Sequence, residues 1–203
     1  MKWILVPLSF ILVFAIVASA GPGPSKKFSV KPKISDPEET DIVVAAWLTK
    51  SGLPDAGKSN HALYFQKAGP TATNASAYGQ IRWLQNRDVT GLTELGFDYR
   101  NGDHCTAVSP RFVIQVDGVD YSLPCTSGVA SPAPDDPLNW TRVRFGAAEF
   151  GAAGIPLIGV ITAGNLVFDE GTDAGTGLIY MDNIDVNGSL IGKAGKGKAP
   201  SGF

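Results

Sequence analysis

Two tryptophans and the charged residues near them offer the clearest chemistry in this chain. A sugar ring stacks its C–H face on an aromatic side chain and hydrogen-bonds to planar polar groups. Trp140 opens the segment NWTRVRF, and Arg142 and Arg144 follow it at alternate positions. Trp83 lies in QIRWLQNRD. With Asp98, Arg100 and Gln115, these residues form a candidate ligand-binding set. The competing reading is that the rings pack against neighbouring loops and that the Arg and Asp residues pair for solubility on a sheet surface.

Catalytic patterns are weaker. The chain has no Gly-x-Ser-x-Gly, no His-Glu-x-x-His and no phosphate-cradling glycine loop. Gly171–Gly177, GTDAGTG, lacks the Lys-Ser/Thr ending of such a loop and reads as a flexible connection. Asp135/Asp136, Asp169/Glu170 and Asp182/Asp185 are acid pairs, and glycosidase work would need two carboxylates facing across a cleft. His61 and His104 are the only histidines, and either could act as a general base. No catalytic residue is assigned. Cys105 and Cys125 are the only cysteines, and in an oxidising compartment they would pair. Closing that loop would stabilise the fold by roughly 3 kcal/mol. The alternative, a reactive or metal-binding pair, has only the two histidines to complete a zinc set.

The elements that would position these residues read as strands. Leu95, Phe97 and Tyr99 alternate with Gly96, Asp98 and Arg100. Phe112, Ile114 and Val116 repeat the pattern, as do Val119, Tyr121 and Leu123, and Val143 with Phe145. Period two between turn residues is the signature of half-buried strands. Asp117-Gly118 separates two such runs and predicts a tight hairpin, because glycine supplies the positive φ of a type I′ turn. Asn101-Gly102 and Asn187-Gly188 mark further turns. Helices are plausible only around Ile42–Leu48 and Ala75–Trp83. The fold class expected is all-β: an antiparallel β-sandwich of jelly-roll type with at most one or two short helices. On the last strand Leu178, Tyr180, Ile184 and Val186 share a parity, which places Asp182 on the core face. A carboxylate there needs N–H donors, an arginine or a cation.

From Leu63 to Gly188 the pattern resembles a galactose-binding-like jelly roll, the fold of many secreted carbohydrate-binding modules. The pieces that carry the resemblance are HALYFQK, GLTELGFDYR, PRFVIQVDG, YSLPC, NWTRVRF and GLIYMDNIDVNG, whose aromatic–x–Asp–Asn–Ile motif, Tyr180 to Ile184, resembles the closing strand of such modules. The resemblance implies carbohydrate binding, adhesion or an accessory role beside an enzyme. It also implies that Asp182 either ties a loop or helps hold a structural calcium, for which Glu39, Asp41 and backbone carbonyls are conceivable further donors.

The bulk properties narrow the classes. The 203 residues carry 17 Lys and Arg against 19 Asp and Glu, a net charge of −2 at pH 7. A mildly acidic chain is a poor candidate for nucleic acid, which needs a basic footprint. Residues 1–20 have one early lysine, a long apolar run and Ala18-Ser19-Ala20, the layout of a secretory signal peptide. Residues 21–40 read as a flexible linker with a short edge strand at Phe28–Val30, residues 41–191 as the sandwich domain, and residues 192–203 as a flexible tail. No membrane span is expected after cleavage. Asn74, Asn139 and Asn187 head glycosylation sequons, which matter only in a cell that glycosylates. The leading functional expectation is a secreted (extracellular or periplasmic), non-catalytic module that binds polysaccharide or cell-surface glycan. Its alternatives are a structural or adhesive surface protein and a small glycan-active hydrolase or lyase.

Overall fold

The computed structural model describes residues 28–54, 59–171, 176–192, 197 and 199–200. The expected signal peptide lies outside them. Among the described residues there are thirteen strands: β1 (Val30–Ser35), β2 (Val43–Leu48), β3 (Ala62–Ala68), β4 (Ser76–Ile81), β5 (Arg87–Asp88), β6 (Leu95–Arg100), β7 (Arg111–Val116), β8 (Val119–Pro124), β9 (Val129–Pro132), β10 (Trp140–Phe145), β11 (Val160–Phe168), β12 (Thr176–Val186) and β13 (Ser189–Ile191). One short helix, α1 (Ala147–Ala152), joins β10 to β11. Its first turn is held by Glu149, whose carboxylate accepts from the Gly146 N–H at 2.7 Å.

The strands form two antiparallel sheets. The front sheet runs β1-β4-β11-β7-β8, and β5 pairs with β11. The back sheet runs β2-β3-β12-β6-β10-β9, and β13 pairs with β12. Of the eight principal strands in chain order, the first, eighth, third and sixth (β3, β12, β6, β10) lie side by side in the back sheet. The second, seventh, fourth and fifth (β4, β11, β7, β8) lie side by side in the front sheet. That interleaving is two Greek keys wound into a jelly roll, so the fold is the antiparallel sandwich that the alternation predicts.

The inner faces supply the core. Leu95 and Phe97 of β6, Phe112 and Ile114 of β7, Val143 and Phe145 of β10 and Leu166 and Phe168 of β11 are buried. Phe97, Phe112 and Phe145 meet with ring centroids 5.7–6.4 Å apart. The Asp117-Gly118 hairpin forms as expected, with φ of 49° and 84° at its two central residues. Asn187-Gly188, at 53° and 74°, turns β12 into β13. Cys105 and Cys125, separated by 20 residues, form the disulfide with Cα atoms 5.5 Å apart. It ties the loop after β6 to the end of β8.

Four expectations are corrected. The two helix candidates are strands β2 and β4, because their backbones pair in the sheets, β2 with β3 at an edge and β4 between β1 and β11. The linker reading fails over its described half: β1 pairs with β4 along six residues, and Phe28 and Val30 are buried in the core. Within the tail, Gly197 bridges Ile191 and donates its N–H to the Phe28 carbonyl. The parity of β12 also changes midway. A bulge between Asp182 and Asp185, with Asn183 at φ 45°, puts Ile179, Met181, Ile184 and Val186 in the core. Tyr180 and Asp182 therefore face outward.

Candidate functional site

The two sheets present two outer faces of opposite construction, and the sequence-derived candidates divide between them unequally.

On the back sheet, register brings Asp98 of β6 beside Arg142 of β10 and Asp182 of β12. The next outward rung sets Gly96 between Arg144 and Asp185. The Asp98 carboxylate has 0% exposure. It accepts two bonds from Arg142, Nε and Nη2 each at 2.9 Å, with Arg144 Nη1 at 3.3 Å and Asn183 Nδ2 at 3.0 Å. Arg144 also donates to the carbonyls of Phe97 and Val143 and lies 3.2 Å from Asp185. A Cβ on Gly96 would stand 2.5 Å from the Arg144 side chain, so glycine is what lets the guanidinium lie across the strand. Burial, with Glu94 nearby, raises the Asp185 pKa to about 6, although Arg144 pulls it down.

Further along this face Arg100 bonds Asp103 at 3.1 Å, and its guanidinium stacks 3.8 Å above the centroid of the Tyr180 ring. Trp140 is 5% exposed, packed with Leu53, Ala62, Ala133 and Tyr180. Asp182 is buried and accepts from the N–H of Leu53 at 2.8 Å and of Asn183 at 2.7 Å. It ties down the loop after β2. Glu39 and Asp41 precede β2, so a strand's length separates them from Asp182. Among the described residues no group of three or more His, Cys, Asp and Glu gathers around a metal position.

The remaining candidates are occupied too. Trp83 is 4% exposed, edge-on to Phe28, with the Arg87 guanidinium over its ring. Neither Trp83 nor Trp140 offers a ring face to a sugar, which corrects the expectation of tryptophan platforms. At the far end of the sandwich, Asp169 is held by Arg111 through two 2.6 Å bonds. Glu170 lies 2.8 Å from His104 Nε2 and accepts from the Thr106 hydroxyl. Burial pushes Glu170 up, but those two hydrogen bonds outweigh it and hold its pKa below the ordinary value. Beside them Lys67 is buried, its ammonium donating to the carbonyls of Thr71, Thr73 and Asp169. Asn187 is locked by its own bonds to Thr93, Glu94 and Gly91.

The front sheet differs. Outward residues line up across it in rungs. One rung is Lys31, Gln80, Asn165, Val113 and Ser122; the next is Lys33, Tyr78, Val167, Arg111 and Pro124. Their strand neighbours Ala77, Ile81, Phe112, Ile114 and Leu166 point into the core. Tyr78, Gln80 and Asn165 are half-buried, and their side chains make no hydrogen bond among the described residues. A bulge between Ile161 and Ala163 turns Thr162 outward as well. Its hydroxyl donates to the Gln115 side-chain oxygen at 2.7 Å, while the Gln115 nitrogen donates to Asp120 at 3.0 Å. Beside this rung lies an open groove of about 410 Å³ lined by Ser29, Gln80, Arg82, Gln85, Thr162 and Ala163. Of the sequence-derived ligand candidates, only Gln115 belongs to this face. The signal for the others was present: Tyr78 and Gln80 alternate in SAYGQI, and Asn165 follows the same rule in GNLVF.

No family model matches this sequence. No curated protein matches it either. Among solved structures, the fold is similar to part of the β-1,2-glucanase from Parabacteroides distasonis, at 14% identity and a TM-score of 0.46. The aligned region covers 79% of this chain and 23% of that one, so this chain spans under a quarter of the enzyme's length. A likeness at that level transfers neither activity nor substrate.

Proposed function

We propose that this chain is an exported glycan-binding module and that the outer face of the front sheet is its binding surface. The observation that carries this reading is the Gln80–Asn165 rung. It presents two neutral planar amides, half-exposed and not engaged within the described chain, between the Tyr78 ring and a groove. Amides pair with vicinal hydroxyls through one donor and one acceptor, and a phenol ring accepts a sugar's C–H face. The resemblance of the strand segments to carbohydrate-binding modules supports the same reading. The disulfide fits an oxidising compartment, and no helix among the described residues is long and apolar enough to cross a membrane. The apolar leader adds support for export.

Retention on immobilised polysaccharides tests the reading. The wild-type chain should be retained by at least one of a panel, and Gln80→Ala with Asn165→Ala should reduce retention at least tenfold. Equal retention of the double variant would remove this face from binding. A second reading is favoured by Leu157 and Ile158, 87% and 82% exposed on the loop after α1. These side chains suit adhesion to a protein partner. Loss of partner binding in Leu157→Ser with Ile158→Ser, with no polysaccharide retained by either chain, would favour it.

A further inference from the structure

We infer that the ligand of the front face is an anionic glycan, one bearing uronate or sulfate groups along its chain; this rests on the glycan reading above. The observation is the placement of charge. Lys31 and Lys33 on β1 sit in register with Gln80 and Tyr78 on β4, on the same outward face. Arg82 continues the outward parity of β4, with its N–H bonded to the Ser29 carbonyl, and it lines the groove with Gln80. Three cations thus border one side of the amide rung. None has an ion-pair partner among the described residues, in a chain whose net charge is −2.

The acids around this face are committed elsewhere. Asp120, on the opposite edge, accepts from Gln115. Asp88 accepts from the N–H and hydroxyl of Thr90. Asp36, just past β1, accepts from the Thr40 hydroxyl and the Asp41 N–H. Lysines on an edge strand also block unwanted strand pairing, and Pro32 between them serves that end. That role requires charge at the edge alone. It does not require Arg82 on the neighbouring strand, nor three cations flanking a row of neutral amides. An acidic polysaccharide meets both halves of the pattern: hydroxyls over Gln80 and Asn165, and repeating charges along Lys33, Lys31 and Arg82. Such contacts weaken as salt screens them.

Affinity electrophoresis of the full-length chain tests this with three polymers: polygalacturonate, a sulfated galactan and a neutral β-glucan. One or both charged polymers should retard the protein at 50 mM salt, with the effect falling at least tenfold at 500 mM. The retarding polymer identifies carboxylate or sulfate. Lys31→Gln with Lys33→Gln should abolish retardation, whereas Lys50→Gln, exposed on the loop after β2, should not. Retardation by the neutral glucan alone, or by all three with the double variant unaffected, overturns the inference and leaves glycan binding standing. No retardation by any polymer overturns both.

Discussion

The outer faces of the two sheets both carry polar side chains, yet they treat them in opposite ways. On the back face Asp98, Arg142, Arg144 and Asn183 satisfy one another, Asp185 joins them through its Oδ2 while its buried Oδ1 has no hydrogen-bond partner among the described residues, and Trp140 is sealed beneath loops. On the front face Gln80, Asn165 and Tyr78 make no such bonds within the described chain. Charges taken out of water are costly unless paired and hydrogen-bonded. A closed network of this kind therefore holds strands and loops in place, and an outside molecule could enter it only by breaking it. Neutral amides on an open sheet cost little to leave in water and keep their donors and acceptors for a ligand. Polar richness alone thus does not mark a binding face; unmet hydrogen-bonding capacity does.

The largest test of this contrast is Asp98→Ala. It leaves the guanidinium groups of Arg142 and Arg144 without their shared acceptor beneath the loops. Removing one partner of a buried pair costs about 3–5 kcal/mol. Chemical denaturation should show a loss of that size with an unchanged m-value. A loss under about 1 kcal/mol would mean that water already reaches this network.

Asp185 gives the next largest effect, as a pH dependence. Its pKa in the folded chain is about 6, against an ordinary 3.8. The folded state therefore holds this proton more tightly than the unfolded chain does. The stabilisation is complete below about pH 4 and is lost as pH rises through 6, a span on the order of 2–3 kcal/mol. Asp185→Asn should flatten that stretch of the stability profile, measured as urea midpoints from pH 4 to 7. Parallel profiles for the two proteins would show that folding leaves the Asp185 pKa near its ordinary value.

The alternation in Leu95–Arg100 and Phe112–Val116 made the core strands legible, because each obeys period two without interruption. Asp117-Gly118 was legible because its backbone demands positive φ. The face of Asp182 was not, since a single extra residue in β12 reverses the parity and nothing in Met-Asp-Asn-Ile announces it. The burial of Trp140 depends on Leu53 and Ala133, which reach it only through the paths of two loops. Arg142 beside Asp98 reads the same in one dimension whether the pair is solvated or sealed. The front face escaped notice for a different reason. SAYGQI mixes small residues with a single aromatic, so its alternation is weak until β1 and β11 flank it.

The smallest expected effect is the sharpest discriminator. Gln80→Ala with Asn165→Ala removes two amides that bond to nothing within the described chain, from strands whose inward neighbours Ile81 and Leu166 are untouched. Substitutions of this kind usually fall within about 0.5 kcal/mol of wild type. The denaturation midpoint should therefore stay put while polysaccharide retention collapses. That pairing of outcomes is what separates a binding face from a structural one. A structural face would lose stability on substitution, as the back face should in Asp98→Ala. A destabilisation of 2 kcal/mol or more in the double variant would show that the front rung also holds β4 to β11, and the distinction between the two faces would fail.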